Sequence, residues 1–235
     1  GFFLGSDNRQ RTGLGSGIVW DREGHLVTNL HLLAGSSAAI VRLADGSEWR
    51  ARLVGTAPGH DLAVLAIDAP SERLTPLPLG ASADLRVGQR ALAIGNPFGL
   101  DWTLTSGIVS GLGRTVETDA GLVLDGLIQT DAAIHPGNSG GPLLDGRGRL
   151  IGLNTALATP AGGAFAFGFA VPVDSLTRLV PQILSSGSLP RAGIGVRLLE
   201  DRSARELGLS GAVVAAVLDG SPAARAGLRP ARLDG

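Results

Sequence analysis

Gly137-Asn138-Ser139-Gly140-Gly141 places one hydroxyl on a backbone of glycines, directly after the turn-forming pair His135-Pro136. A serine that attacks a carbonyl needs an exposed Oγ and backbone N–H groups aimed at the oxygen that becomes negative. Glycine supplies the second requirement, because it adopts positive φ and lets the backbone crowd against a ligand. In a chain with 36 glycines the same pentapeptide also fits an ordinary surface turn. The surrounding sequence has to decide.

On either side of this turn the chain reads as short β-type runs split by Gly, Pro, Asn and Asp. The runs are Gly17–Trp20, Leu26–Asn29, Ala39–Leu43, Trp49–Val54, Leu62–Ile67, Ala91–Ile94, Leu104–Ser110, Gly126–Thr130, Leu150–Asn154 and Ala164–Val171. Short strands at this spacing predict a sandwich or barrel, and Asp45-Gly46 marks a hairpin turn. One helix is expected over Asp174–Ser185, capped by Asp174, interrupted by Pro181 and ended by Gly187. Residues 186–192 read as a linker, and a shorter mixed segment follows with a helical turn near Ser203–Leu207, a strand Ala212–Val217 and another helical turn near Ser221–Ala226.

The 235 residues suffice for one large domain, or one domain with a smaller companion. A net charge of −1 gives no electrostatic case for nucleic acid. The absence of cysteine excludes disulfides and thiolate metal sites and leaves the redox compartment open. There is no His-Glu-x-x-His and no P-loop, and Gly13-Leu14-Gly15-Ser16-Gly17 lacks dinucleotide spacing, so neither metal nor cofactor is implied. No apolar run approaches the roughly 18 residues that span a bilayer. The chain lacks methionine and so does not start at its own initiator, which leaves its compartment unread.

A serine nucleophile needs a base to take its proton and a carboxylate to orient that base. Of the four histidines, His31 follows a strand and enters an apolar turn. His25 and His60 lie in polar turns that favour solvation, and His135 is close enough to Ser139 to line the site. Asp61 opens the apolar strand Leu62–Ile67, where an ionised carboxylate is costly unless partnered. Asp131 is the rival acid. The order His31, Asp61, Ser139 is that of chymotrypsin-like barrels.

Thr28–Leu32, Asp61–Leu65 and Gln129–Leu143 together resemble the histidine, acid and serine segments of the HtrA/Deg family of ATP-independent serine proteases. Gly95–Leu100 and Gly168–Val173 match further family blocks. Two positions depart from the family pattern, His135 for its usual Asn and Leu32 for its Val; neither removes a catalytic group.

The resemblance implies an all-β, chymotrypsin-like double β-barrel with a C-terminal helix and a partial, α+β PDZ segment. Its domains would be an N-terminal segment 1–13 acting as a trimer contact, a protease domain 14–185, the linker 186–192 and a truncated PDZ domain 193–235. His31 would be the general base, Asp61 its orienter and Ser139 the nucleophile. The backbone of Gly137, Asn138 and Ser139 would form the oxyanion hole. Ala133, flanked by Ala132 and Ile134, would floor the S1 pocket and favour cleavage after aliphatic residues, with His135 at the approach. Residues 111–121 and 155–165 would be mobile activation loops. Gly193-Ile194-Gly195-Val196 would be a PDZ carboxylate loop, with peptide binding expected to be lost because the groove helix is missing.

The family also implies unfolded polypeptide substrates, a homotrimer and an extracytoplasmic location such as the periplasm or cell envelope. A catalytically idle chaperone or binding module of the same fold is the alternative. An esterase is disfavoured by the absence of a Gly-x-Ser-x-Gly elbow in a strand–turn–helix setting.

Overall fold

The computed structural model describes residues 2–5, 15–33, 39–96, 102–118, 121–155, 167–187, 193–199, 201–206 and 208–231, with only the backbone of 2–5, 201 and 202. The chain divides into two compact units, Gly1–Leu189 and Pro190–Gly235.

The first unit holds two closed antiparallel barrels. Strands β1 (Phe2–Gly5), β2 (Gly15–Val19), β3 (His25–Asn29), β4 (Ala39–Arg42), β5 (Glu48–Ala57) and β6 (Leu62–Ala66) close in the order β1-β2-β3-β6-β5-β4. The second barrel comprises β7 (Arg90–Gly95), β8 (Thr103–Glu117), β9 (Val123–Thr130), β10 (Pro142–Asp145), β11 (Leu150–Thr155) and β12 (Gly168–Pro172). Its ring runs β7-β8-β9-β12-β11-β10, the same connectivity as the first. Closure leaves neither ring with an edge strand open to pairing.

Alternation sorts the side chains. Val19, Leu26, Val41 and Leu65 fill the first barrel, while Ala93, Val109, Ile128, Leu143 and Ile151 belong to the core of the second. Their strand neighbours point the other way. Ile18, Val27, Leu62 and Val64 from the first barrel join Leu127, Leu150, Leu153 and Val171 from the second in one shared core. Strand β6 is therefore buried on both faces, which is why Leu62–Ala66 reads as an unbroken apolar run. The helix α1 (Val173–Ser186) lays Leu176, Leu179, Val180 and Ile183 into the same core.

Several sequence expectations change here. Phe2–Gly5, outside the runs read as strands, pairs with both β2 and β4 and completes the first ring. Strand β10 was not foreseen. Residues 111–117, expected to be a mobile loop, continue β8, which pairs with β9 through three register shifts that absorb Gly111 and Gly113. Asp174 does not cap α1: its carboxylate accepts the N–H groups of Ser82 and Ala83, and Pro172 occupies the cap position. Pro181 sits inside the helix, and Gly187 closes it in the left-handed region with φ 74°.

The second unit contains a two-stranded sheet of β13 (Val196–Leu198) and β14 (Val214–Val217), with short helices α2 (Asp201–Glu206) and α3 (Pro222–Arg225). Ser221 caps α3 by accepting the Ala224 N–H. In the segment Gly193–Val196, the Ile194 carbonyl accepts the Ala223 N–H and the Gly195 carbonyl accepts the Leu218 N–H.

Asp145, which ends β10, is buried at 3% exposure. One oxygen accepts the N–H groups of Arg147 and Arg149, and the other accepts the Arg149 guanidinium. Burial pushes its pKa up, but the Arg149 and Arg147 bonds outweigh that and hold the carboxyl below its usual range. Asp145→Ala is expected to lower unfolding free energy by about 1–3 kcal/mol near neutral pH. A pKa depressed by folding stabilises above the unfolded value of about 3.9 and loses that contribution as pH falls through the folded value. Urea titrations of both proteins across acidic pH should therefore converge below that range.

Candidate active site

Strand β3 ends at Asn29 and the chain turns into a 3-10 helix, Leu30–Leu33. Neighbouring strand β6 pairs Leu62 with Asn29, so the residue before it, Asp61, meets the start of that turn. Asp61 is the one non-glycine residue with positive φ, 49°, among the described residues. Such a conformation costs on the order of 1–3 kcal/mol and persists where surrounding bonds enforce it. Those bonds are present. The Asp61 carbonyl accepts the Leu30 N–H at 3.0 Å and the Asn29 amide at 3.2 Å, and its own N–H donates to the Pro58 carbonyl.

This strained backbone aims the carboxylate at one residue. Asp61 Oδ1 accepts the His31 N–H at 2.9 Å, and Oδ2 lies 2.6 Å from His31 Nδ1. Thr155, at the end of β11, donates its hydroxyl to the same Oδ2 at 3.4 Å. The Asp61 side chain is 6% exposed and that of His31 is 45% exposed, so a buried carboxylate holds a ring that reaches solvent. With a carboxylate on Nδ1 the proton sits there, and Nε2 is left as an acceptor. The ring can take a proton at Nε2, and the carboxylate stabilises the imidazolium that results.

The Ser139 turn links β9 to β10 and is buried from Gly137 to Gly141. The Asn138 N–H donates to the His135 carbonyl at 2.9 Å, and the Gly141 N–H donates to the Asn138 carbonyl at 3.0 Å. Strand β2 of the other barrel grips the turn from behind. The Ser16 N–H donates to the Ser139 carbonyl at 2.8 Å, and the Ser16 hydroxyl donates to the Gly137 carbonyl at 2.7 Å. Glycine is required at 140, where φ is +80° and a Cβ would overlap the Ser16 carbonyl and the Thr28 hydroxyl. That Cβ would also lie 3.2 Å from Leu32, so the turn abuts the segment carrying His31.

His25, His60 and Asp131 do not join this pair. His25 Nδ1 pairs with Asp21 at 2.6 Å, and His60 closes the 3-10 turn Pro58–His60. Asp131 accepts the Ile108 N–H at 2.6 Å, an interaction with β8. Ala133 is exposed, and its carbonyl accepts from the Thr105 hydroxyl and the Asn138 amide; Ala132 instead packs in the barrel. Ile134 is half-buried against Gly168, where a Cβ would overlap it, and His135 is exposed. Of the other expected activation loop, only Thr155 lies within the described residues, and of Gly95–Leu100 only Gly95 and Asn96 do. Ser16, Thr28 and Thr155 were not anticipated. Their one sequence signal is a hydroxyl inside an otherwise apolar or glycine-flanked strand.

Residues 15–153 match the trypsin-like peptidase domain family. The chain is 49% identical over 224 residues to "Protease Do-like 1, chloroplastic" of Arabidopsis thaliana, covering 95% of this chain and 51% of that protein. It is 42% identical over 230 residues to a "Probable periplasmic serine endoprotease DegP-like" of Pseudomonas putida, covering 96% and 47%. The chain thus spans about half the length of these curated relatives. Among solved structures, "HtrA-type protease AlgW with tripeptide" is similar at a TM-score of 0.76 and 43% identity, covering 97% of this chain and 76% of that one. "Crystal structure of Deg5" is similar at a TM-score of 0.67 and 42% identity, covering 80% and 90%.

Gly140→Ala combines a forbidden φ with an overlap on backbone. It is expected to cost about 1–3 kcal/mol in urea unfolding, whereas Gly46→Ala, at positive φ with open space around it, meets the φ penalty alone.

Proposed function

The chain belongs to the HtrA/Deg family of trypsin-like serine proteases, and on that footing we propose that it is an ATP-independent serine endopeptidase working through Ser139, His31 and Asp61. The observation that carries the proposal is the doubly bonded His31–Asp61 pair, held on one barrel where the Ser139 turn of the other abuts it.

In this reading, Ser139 Oγ attacks the carbonyl carbon of the scissile peptide while His31 Nε2 takes the hydroxyl proton. Asp61 keeps the ring's Nδ1 protonated and balances the charge the ring acquires. The carbonyl π-electrons move onto oxygen, giving a tetrahedral oxyanion. The intermediate collapses by expelling the amine, which leaves with the proton from His31. Water then attacks the acyl-enzyme by the same proton route, releasing the acid and restoring Ser139. The amides of Gly137 and Ser139 are the donors for the oxyanion. Asn138 is withdrawn from that set, because its N–H is spent on the His135 carbonyl.

Substrates are proposed to be unfolded or damaged polypeptides. Ala133, exposed beside half-buried Ile134, supports a preference for aliphatic residues before the cleaved bond. A homotrimer in an extracytoplasmic compartment is the assembly and location that fit the family. The names of the relatives, one chloroplastic and one periplasmic, are compatible with that location.

Labelling with a fluorophosphonate and hydrolysis of casein test the enzyme reading directly. The expected result is labelling at Ser139, loss of both signals in Ser139→Ala, and a kcat reduced about 10³–10⁴-fold in Asp61→Asn. A folded protein that neither labels nor cleaves would instead be the idle binding module. Sequenced casein products are expected to end in Val, Ala, Ile or Leu; dominant cleavage after Arg would overturn the pocket assignment.

A further inference from the structure

The run Gly13–Gly17, whose spacing excludes a dinucleotide loop, carries a residue that the triad leaves without a role. Ser16 is 1% exposed on β2, yet every polar atom it owns is committed. Its N–H donates to the Ser139 carbonyl at 2.8 Å. Its hydroxyl donates to the Gly137 carbonyl at 2.7 Å and accepts the Asn96 N–H at 3.2 Å. Its carbonyl accepts the Thr28 hydroxyl at 2.7 Å, which fixes Ser16 to the neighbouring strand β3. The two carbonyls it holds belong to Gly137 and Ser139, the residues whose amides would face the oxyanion.

Glycine makes this grip consequential. Gly137 has φ +103° and no Cβ, so sterics alone do little to choose between alternative orientations of its peptide planes. In a trans peptide the C=O and the following N–H point opposite ways. With the Gly137 oxygen drawn toward β2, the Asn138 N–H is directed to the His135 carbonyl, where it donates. Turning that peptide over would break the Ser16 and Asn96 bonds on one end and the His135 bond on the other. The turn is also close to the clamp: a Cβ on Gly141 would lie 3.2 Å from the Ser16 Cβ, so only glycine at 141 lets the turn approach β2 this closely.

We propose that Ser16 is the positioning residue for the oxyanion hole, acting from the opposite barrel: by holding the Gly137 and Ser139 carbonyls it fixes the Gly137–Asn138 and Ser139–Gly140 peptide planes, and with them the backbone on which the Gly137 and Ser139 amides are presented to the oxyanion. The inference rests on the protease reading above. Ser16 does not touch substrate; it holds the peptide planes that adjoin those amides.

The test compares wild type, Ser16→Ala and Ser16→Cys in the full chain. Four quantities are measured: kcat and KM on a peptide substrate, affinity for a peptidyl boronate that forms a tetrahedral adduct, affinity for the uncleaved product peptide, and the acid limb of the pH–rate profile. Removing the hydroxyl is expected to lower kcat and boronate affinity together by about 10–100-fold, because only the tetrahedral species needs the hole. KM, product affinity and the acid midpoint should not move, since the His31–Asp61 pair is untouched. Cys, which keeps a weaker donor of similar shape, should fall between the two, and it decides the question by the same comparison if Ser16→Ala does not fold.

Wild-type kcat in Ser16→Ala would overturn the inference alone, as would a kcat loss with unchanged boronate affinity or a shifted acid midpoint. A wild-type protein inert to fluorophosphonate would overturn the protease reading, and this inference with it.

Discussion

A carboxylate buried at the mouth of an apolar strand has to be satisfied, and Asp61 sets the geometry around it by that need. An isolated buried charge is far costlier than the left-handed backbone Asp61 adopts. Its oxygens are met by the His31 main chain, the His31 ring and the Thr155 hydroxyl, the last from the other barrel. The same bonds that stabilise the charge fix the tautomer and plane of the imidazole. Stability and chemistry share one constraint here.

The two barrels make that constraint usable. Closed rings leave no strand edge through which one barrel could pair with the other, so they join through an apolar core and a few polar contacts. The apolar part is the shared cluster of β2, β3, β5 and β6 with β9, β10, β11, β12 and α1. The polar part lies where turns of one barrel reach strands of the other: Ser16 on the Ser139 turn, and Thr155 on Asp61. In the proposed mechanism base and nucleophile come from different barrels, so these contacts would align them, and a change at either seam would alter reactivity without touching a reacting group.

Much of the fold was legible because alternation reports burial directly. Strand β6 read as a full apolar run because both its faces are covered. Strands β1 and β10 escaped notice for opposite reasons: Phe2-Phe3-Leu4-Gly5 is too short to alternate, and Pro142-Leu143-Leu144-Asp145 begins with a proline and follows a glycine turn. The glycines at 111 and 113 looked like a loop, but bulges accommodate them within β8. Asp174 had the chemistry of a cap and was drawn away by the amides of Ser82 and Ala83, 92 and 91 positions earlier. The proposed triad of His31, Asp61 and Ser139 rests on chain order and local chemistry. Ser16 could not be chosen that way, since its partner Gly137 lies 121 residues away and only the packed barrels bring them together.

The central claim is that Ser139, His31 and Asp61 act as one nucleophilic unit whose oxyanion is received by the Gly137 and Ser139 amides. A crystal structure of the peptidyl boronate adduct tests this most directly. The account predicts a covalent bond from Ser139 Oγ to boron, one boronate oxygen at about 2.7–3.1 Å from both amides, and His31 still bonded to Asp61 through Nδ1. Boron bound to another residue, or a boronate oxygen turned away from Gly137 and Ser139, would contradict it.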